Sequence, residues 1–239
     1  MSTRVRVVFF DAADTLFHVN GAVEEIYLRH AVEFGFRATA NSLPAIKQAF
    51  SRAFREAPPP VFAATDPVQI KQSERLWWFD IVHSVFYRVG IFERFDDFFD
   101  RVFEVFEDPA CWRLFPETRA TLDRLRTEGV ELGIISNFDS RLFAVLRGLD
   151  IAQAFDTVTI SSLARAAKPS AKIFQLAIDK HAVDPGEALH VGDSLRDDAE
   201  GAAKAGLNAL LLDRRDRHRG VHMPTIRTLD EVPAYLAGL

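Results

Sequence analysis

The stretch Val7-Val8-Phe9-Phe10-Asp11-Ala12-Ala13-Asp14-Thr15-Leu16 decides how the rest of the chain is read. Four apolar residues run without polar interruption into an aspartate. Such a run predicts a strand buried on both faces, in the middle of a parallel sheet. The strand ends at Asp11, and in an open α/β sheet ligands bind outside the carboxyl ends of the strands. Asp11 therefore stands where chemistry is expected, with a carboxylate able to act as a nucleophile. Taken alone, an aspartate in that place more commonly caps the next turn. Its meaning depends on the partners that the remaining chain supplies.

Composition narrows the class of protein. With 239 residues, 48% hydrophobic and 26% charged, the chain is long enough for one large domain or two small ones. A formal charge of −5 argues against a nucleic-acid-binding protein, which is usually basic. The single cysteine, Cys111, has no partner for an internal disulfide and reads as a small buried hydrophobe. The apolar run after Arg4 and Arg6 is too short for a signal peptide, and no stretch approaches a membrane span. The expectation is a cytoplasmic enzyme or binding protein, monomeric or homodimeric, that meets neither nucleic acid nor membrane.

After Leu16 the pattern becomes helical, from about Ala22 to about Trp112. Helices are predicted over Val23 to Phe34, from the cap-like Asn41-Ser42-Leu43-Pro44 to Glu56, after Asp66-Pro67, and over about Ile91 to Phe106. Pro58-Pro59-Pro60 breaks this series. Most of the 21 phenylalanines fall in the insert, where they are expected to fill the core of a small helical bundle. From Phe115 helix and strand alternate, with strands predicted at 131–135, 157–161, 188–191 and 209–212, and a helix over 197–205. Such a series predicts a Rossmann-like, doubly wound parallel sheet with helices on both faces. The first strand joins that sheet, and the helical insert hangs from its end as a cap. The division expected is a core of residues 1–16 and 113–239 and a cap of residues 17–112.

The strand-end residues form one set: Asp11 and Thr15, Ser136 and Asn137, Lys168, and Asp193 with Asp198. Carboxylates, a lysine and small hydroxyl or amide groups on one rim suit a dianionic phosphate and a Mg²⁺ ion. Each residue alone has a simpler reading. Asp193 or Ser194 can cap a helix, Asp197 and Asp198 suit its positive end, and Lys168 alone reads as a surface charge.

In order and context the set resembles the haloacid dehalogenase (HAD) superfamily, in the branch with a helical cap inserted after the first strand. The resemblance rests on Asp11 through Leu16, on Ile134-Ile135-Ser136-Asn137 and on Lys168-Pro169 with Ile173-Phe174. It is completed by Gly192-Asp193-Ser194-Leu195-Arg196-Asp197-Asp198, running on to Gly206. Asp14-Thr15 together with Trp77-Trp78 further resembles the branch called haloacid dehalogenase-like hydrolase domain-containing protein 3. The resemblance implies that Asp11 attacks phosphorus to form an aspartyl-phosphate. It places Thr15 and Ser136 near the phosphate, Asn137 as the residue orienting that loop, and Lys168 as a charge stabiliser. It implies Mg²⁺ on Asp11, Asp193 and the carbonyl of Ala13, with Asp198 binding directly or through water, and a cap that closes over the site.

One position departs from that pattern. Family phosphatases carry a second aspartate two residues after the nucleophile, as the general acid and base; here Ala13 stands there and can do neither. Asp14 is adjacent, and capping or ordering of the loop is the role expected of it. Three readings follow: a Mg²⁺-dependent phosphatase of a small phosphorylated metabolite, a 2-haloacid dehalogenase-type hydrolase whose halide needs no acid, and a phosphate-binding pseudo-enzyme acting through a partner. Two further features are read as structural. At least one of Trp77 and Trp78 is expected to pack in the interior, rather than line a substrate face or a dimer contact. The mixed run Asp213 to Arg219 is expected to be a solvated loop.

Overall fold

The computed structural model describes residues 4–239. Strand β1 (Val7–Phe10) is followed by a short β2 (Phe17–Val19). Four helices come next: α1 (Val23–Glu33), α2 (Ser42–Glu56), α3 (Pro67–Val89) and α4 (Phe95–Val105). The chain returns through β3 (Trp112–Leu114) into an alternating series: α5 (Thr118–Thr127), β4 (Glu131–Ser136), α6 (Leu142–Gly148), β5 (Thr157–Ile160), α7 (Ser161–Ala164), α8 (Ala171–Asp179) and β6 (Ala188–Gly192). It closes with α9 (Gly201–Lys204), β7 (Asn208–Leu212), β8 (Thr225–Ile226) and α10 (Val232–Ala237).

Six strands form one parallel sheet in the order β5-β4-β1-β6-β7-β8. From β1 the chain builds outward through β4 and β5, then returns to the other side of β1 for β6, β7 and β8. That reversal opens a crevice at the carboxyl end of β1. All four β1 residues have no exposed surface, as an unalternated apolar run requires. Val8, Phe10, Ile134, Val191 and Leu210 face α5, α6 and α10, whose Leu125, Leu142 and Val232 complete that layer. Val7, Phe9, Ile135 and Ala209 face α8 and α9 on the other side, against Ile173, Phe174 and Ala202. The predicted doubly wound sheet is what forms.

The insert buries an apolar cluster of its own. Phe36, Phe50, Phe86, Phe95, Phe98 and Phe99 meet Ile46, Val82 and Val85 there. The rings pack edge to face, as between Phe86 and Phe98 at 4.9 Å and 71°. At roughly 1.5–3 kcal/mol for each fully buried side chain, this cluster is the main source of the bundle's stability.

Local differences from the sequence reading have local causes. Asp66 caps α3 as expected, accepting from Val68 N and Gln69 N at 3.0 Å each. Asn41 does not cap α2: it lies in the helical region, whereas a capping side chain needs an extended backbone. Ser42 instead accepts from Thr39 N at 2.9 Å. The helix expected from Ile91 begins at Phe95. The one expected over 197–205 is a π-helical turn, Leu195–Glu200, that runs into α9. The paired strands β2 and β3, an antiparallel ribbon joining sheet and insert, were not expected.

Candidate active site

The ends of β1, β4 and β6 bring Asp11, Ser136 and Asp193 to one rim. Asp11 Oδ1 accepts from Ser136 Oγ at 2.9 Å and from Lys168 Nζ at 2.6 Å. Lys168 also donates to Asp198 Oδ1 at 2.5 Å, so one ammonium lies between two carboxylates. The lysine arrives from the loop before α8, and Asn137 fixes that loop. Asn137 Oδ1 accepts from Lys168 N at 2.8 Å, and its Nδ2 donates to the Lys168 carbonyl at 2.9 Å. Asp198 has two further donors, His190 Nε2 at 2.9 Å on Oδ1 and Ser194 N at 2.9 Å on Oδ2. A carboxylate only accepts, so His190 carries its proton on Nε2. Asp198 lies across the end of β6, where a Cβ on Gly192 would stand 2.2 Å from its Cγ. Only glycine allows that approach.

Charge is unevenly served across this rim. Burial opposes ionisation of Asp198, but Lys168 and His190 prevail and hold it well below the usual carboxylate range. Burial opposes the charge on Lys168; Asp11 and Asp198 overcome it and raise the ammonium's pKa. Burial pushes Asp11 upward despite Lys168, and pushes the His190 imidazole downward, leaving it neutral. Asp193 accepts no hydrogen bond from any described residue. Burial, then the charges of Asp11, Asp198 and Asp14, raise it to about 8. Ligand oxygens of Asp11, Asp193 and Asp198 lie within 4.8 Å of one another. Three carboxylates against one lysine leave two negative charges uncompensated when all are ionised. An all-oxygen set with that deficit fits a divalent cation, which would lower the raised pKa values of Asp11 and Asp193.

Comparison with known proteins agrees with this chemistry. Residues 5–206 match the family model described as haloacid dehalogenase-like hydrolase. The chain belongs to this family. The HAD hydrolase is 29% identical to haloacid dehalogenase-like hydrolase domain-containing protein 3 of Danio rerio, over 99% of this chain and 98% of that one. Among solved structures it is similar to the putative HAD-hydrolase YfnB of Bacillus subtilis (TM-score 0.75, 18% identity, 98% and 99% of the two chains). It is also similar to a 2-haloacid dehalogenase of Pseudomonas syringae pv. Tomato DC3000 (TM-score 0.66, 26% identity, 98% and 99% covered). No helix among the described residues is long and apolar enough to cross a membrane.

In this HAD hydrolase the residues singled out from sequence converge, with some differences of detail. Thr15 is fully buried, but its hydroxyl has no partner among the described residues and does not bond Asp11. The Asn137 side chain bonds the backbone of the Lys168 loop. Ala13 forms a backbone bridge to Phe17, and its side chain brings no proton-transfer group. Asp14 orders the loop through its main chain, N to Phe17 O at 2.7 Å, with φ of 60° and an exposed side chain. Cys111 is buried, and burial raises its thiol to about 11, as expected of an inert hydrophobe.

Three contributors were missed or misread. His190 sits within the apolar strand Ala188–Gly192, and a polar residue with no exposed surface there is the signal that it serves a neighbour. The run from Asp213 is not simply solvated. Asp213 is buried and accepts from Arg217 N and His218 N at 2.9 Å each. Arg214 turns inward to donate to the Thr15 carbonyl at 2.9 Å, pairs with Glu117 at 2.6 Å, and lies 3.5 Å over the Phe115 ring. It thereby ties the loop after Asp11 to the returning chain. The tryptophans are only partly buried: Trp77 donates to the Pro58 carbonyl at 2.8 Å, and Trp78 reaches Asp139 of the core at 2.6 Å.

Proposed function

We propose that this HAD hydrolase is a Mg²⁺-dependent phosphatase of a small phosphorylated metabolite, with a core of residues 1–16 and 113–239 and a cap of residues 17–112. The observation that carries the reading is the charge deficit at Asp11, Asp193 and Asp198, which Lys168 only partly offsets. Held by Asp11, Asp193 and the Ala13 carbonyl, with Asp198 directly or through water, Mg²⁺ would supply Lewis-acid stabilisation of the phosphoryl oxygens.

Asp11 Oδ1 is held by Ser136 and Lys168. The other oxygen, Oδ2, accepts from no described residue and is the one placed to attack phosphorus. Attack forms the Oδ2–P bond as the bond from phosphorus to the leaving-group oxygen breaks. Water then attacks phosphorus and gives up a proton to solvent, the Oδ2–P bond breaks with its electrons returning to the Asp11 carboxylate, and inorganic phosphate departs. Lys168 balances charge on the nucleophile, while Ser136, Thr15 and Asn137 organise the phosphate's surroundings. With Ala13 in place of an acid, the leaving group takes its proton from solvent. The missing group is worth roughly 10²–10⁴-fold, so substrates with good leaving groups are favoured.

Ala13 also favours a second reading, hydrolysis of a carbon–halogen bond, because halide departs without a proton. The cluster of Asp11, Asp193 and Asp198 speaks against it, since a metal-free dehalogenation needs no cation site. The test is hydrolysis of an aryl phosphate by wild type, Asp11→Asn and Ala13→Asp, with and without Mg²⁺. Turnover only with Mg²⁺, abolished in Asp11→Asn and increased in Ala13→Asp, is the expected result. Halide release from a 2-haloacid in EDTA would establish the second reading. Inertness of all three proteins would defeat the first.

A further inference from the structure

The loop after β4 carries a second set of buried charges, beyond those at Asp11. Asp139 and Arg141 are 3% and 7% exposed, and they form a two-pronged pair: Arg141 Nε to Oδ1 at 2.9 Å and Nη2 to Oδ2 at 2.7 Å. Both belong to the core, yet their surroundings belong to the insert. Trp78 Nε1 of α3 donates to Asp139 Oδ2 at 2.6 Å. Arg141 Nη1 donates to the Phe103 carbonyl of α4 at 3.2 Å, and its guanidinium lies 4.1 Å from the Phe103 ring centre and 5.1 Å from that of Trp78. Between them, Ser140 gives its amide (2.9 Å) and its hydroxyl to the two carboxylate oxygens of Glu74, an α3 residue only 2% exposed.

We propose that this contact is a fastening between cap and core, and that Glu74 and Trp78 are positioning residues for the reaction at Asp11. The catalytic part rests on the phosphatase reading above. Segment 136–141 makes three attachments in succession: Ser136 to the nucleophile, Asn137 to the Lys168 backbone, and residues 139–141 to the cap. Seating of the cap therefore bears directly on the two residues that hold the nucleophile and its lysine.

The chemistry of the contact suits repeated making and breaking. Asp139 and Arg141 satisfy each other within the core, so neither charge is orphaned when the cap lifts. Glu74, the Trp78 N–H and the Ser140 groups all hydrate readily once exposed. The ring faces over Arg141 lose cover, and the Phe103 carbonyl exchanges the guanidinium for water. Trp78 is thus a fastening residue, with its ring on the cap and its N–H on the core.

The test uses the full chain with Trp78→Phe, which keeps a ring and loses the N–H, and Glu74→Gln, which keeps shape and loses charge. Amide hydrogen exchange, read without substrate, is expected to accelerate about tenfold across 136–141 in both, the loss of one hydrogen bond to a charged group. The β6 and β7 amides should be unchanged. In aryl phosphate hydrolysis kcat/KM is expected to fall about tenfold. Glu74→Ala takes away both acceptors of the Ser140 link, so adding Ser140→Ala to it should cost nothing further. Unchanged exchange at 136–141 overturns the coupling, whatever the activity. Altered exchange with unchanged kcat/KM, or losses that add in the double variant, overturns the positioning role. A wild type inert toward aryl phosphates overturns the phosphatase reading and the positioning role with it, while the exchange result still decides the fastening.

Discussion

Asp193 and Asp198 stand on the same turn after β6, yet their surroundings are opposite. Asp198 is ringed by Lys168, His190 and the Ser194 amide, and its carboxyl is held low. Asp193 has no described donor, and its carboxyl is pushed up to about 8. Donors that fix a carboxylate also occupy its lone pairs, so Asp198 serves mainly as the brace for Lys168. A carboxylate left without donors is costly in the free protein, and the free energy returns when a cation arrives. The two sides of the rim thus differ: one holds the lysine, and the other offers an undonated carboxylate to which a cation could bind.

The comparison breaks most visibly if the brace loses its centre. Lys168→Met leaves Asp11 and Asp198 facing each other without a counter-charge, and urea unfolding is expected to show a loss of about 3–5 kcal/mol. His190→Leu removes one donor from Asp198. A smaller loss of about 1.5–3 kcal/mol is expected, with Mg²⁺ affinity, measured by titration calorimetry, falling about 10–100-fold. On the other side of the rim the sign reverses. Asp193→Asn removes a group that resists ionisation, so the metal-free Tm at pH 8 should rise by about 2–4 °C, while stabilisation by Mg²⁺ disappears.

Acidity separates the two carboxylates further. The raised Asp193 keeps its proton in the folded protein and loses it when unfolded. Metal-free stability therefore falls as pH rises from the ordinary 3.8 through about 8. The depressed Asp198 contributes stability that is complete above 3.8 and lost at lower pH. Thermal melts from pH 3 to 9 should resolve the two windows, with the Mg²⁺-induced rise in Tm growing toward pH 8. The smallest effect is expected at Asp14, whose φ of 60° suits glycine. Asp14→Gly should change stability by no more than about 1 kcal/mol, relief of the left-handed backbone being offset by chain entropy. Its kcat should be unchanged, whereas a fall would make Asp14 the replacement for the acid that Ala13 lacks.

Much of this was legible in the chain because it rests on patterns that physics makes short-range. The run Val7–Phe10, the alternation after Phe115 and the cap at Asp66-Pro67 each follow from neighbours in sequence. Asp11, Ser136, Lys168 and Asp193 could be grouped because strand ends share one rim. His190 was hidden because a histidine in an apolar strand is visible, but its partner eight residues on is not. Asp139, Arg141, Glu74 and Trp78 were hidden for a stronger reason: their bonds join the core to the insert across 38 to 66 residues of chain. Strands β2 and β3 are three residues each, too short for any period to register.

Those two short strands have a mechanical consequence. The chain crosses between sheet and insert twice, and the crossings pair with each other, Phe17 with Leu114, His18 with Arg113 and Val19 with Trp112. Two separate tethers would allow the bundle to slide, twist and tilt independently. Bonded side by side, they form a single flat leaf spring that bends easily across its face and resists shear in its plane. Any motion of the insert against the sheet would thereby be confined to one swing, returning α3 to the same residues of the core.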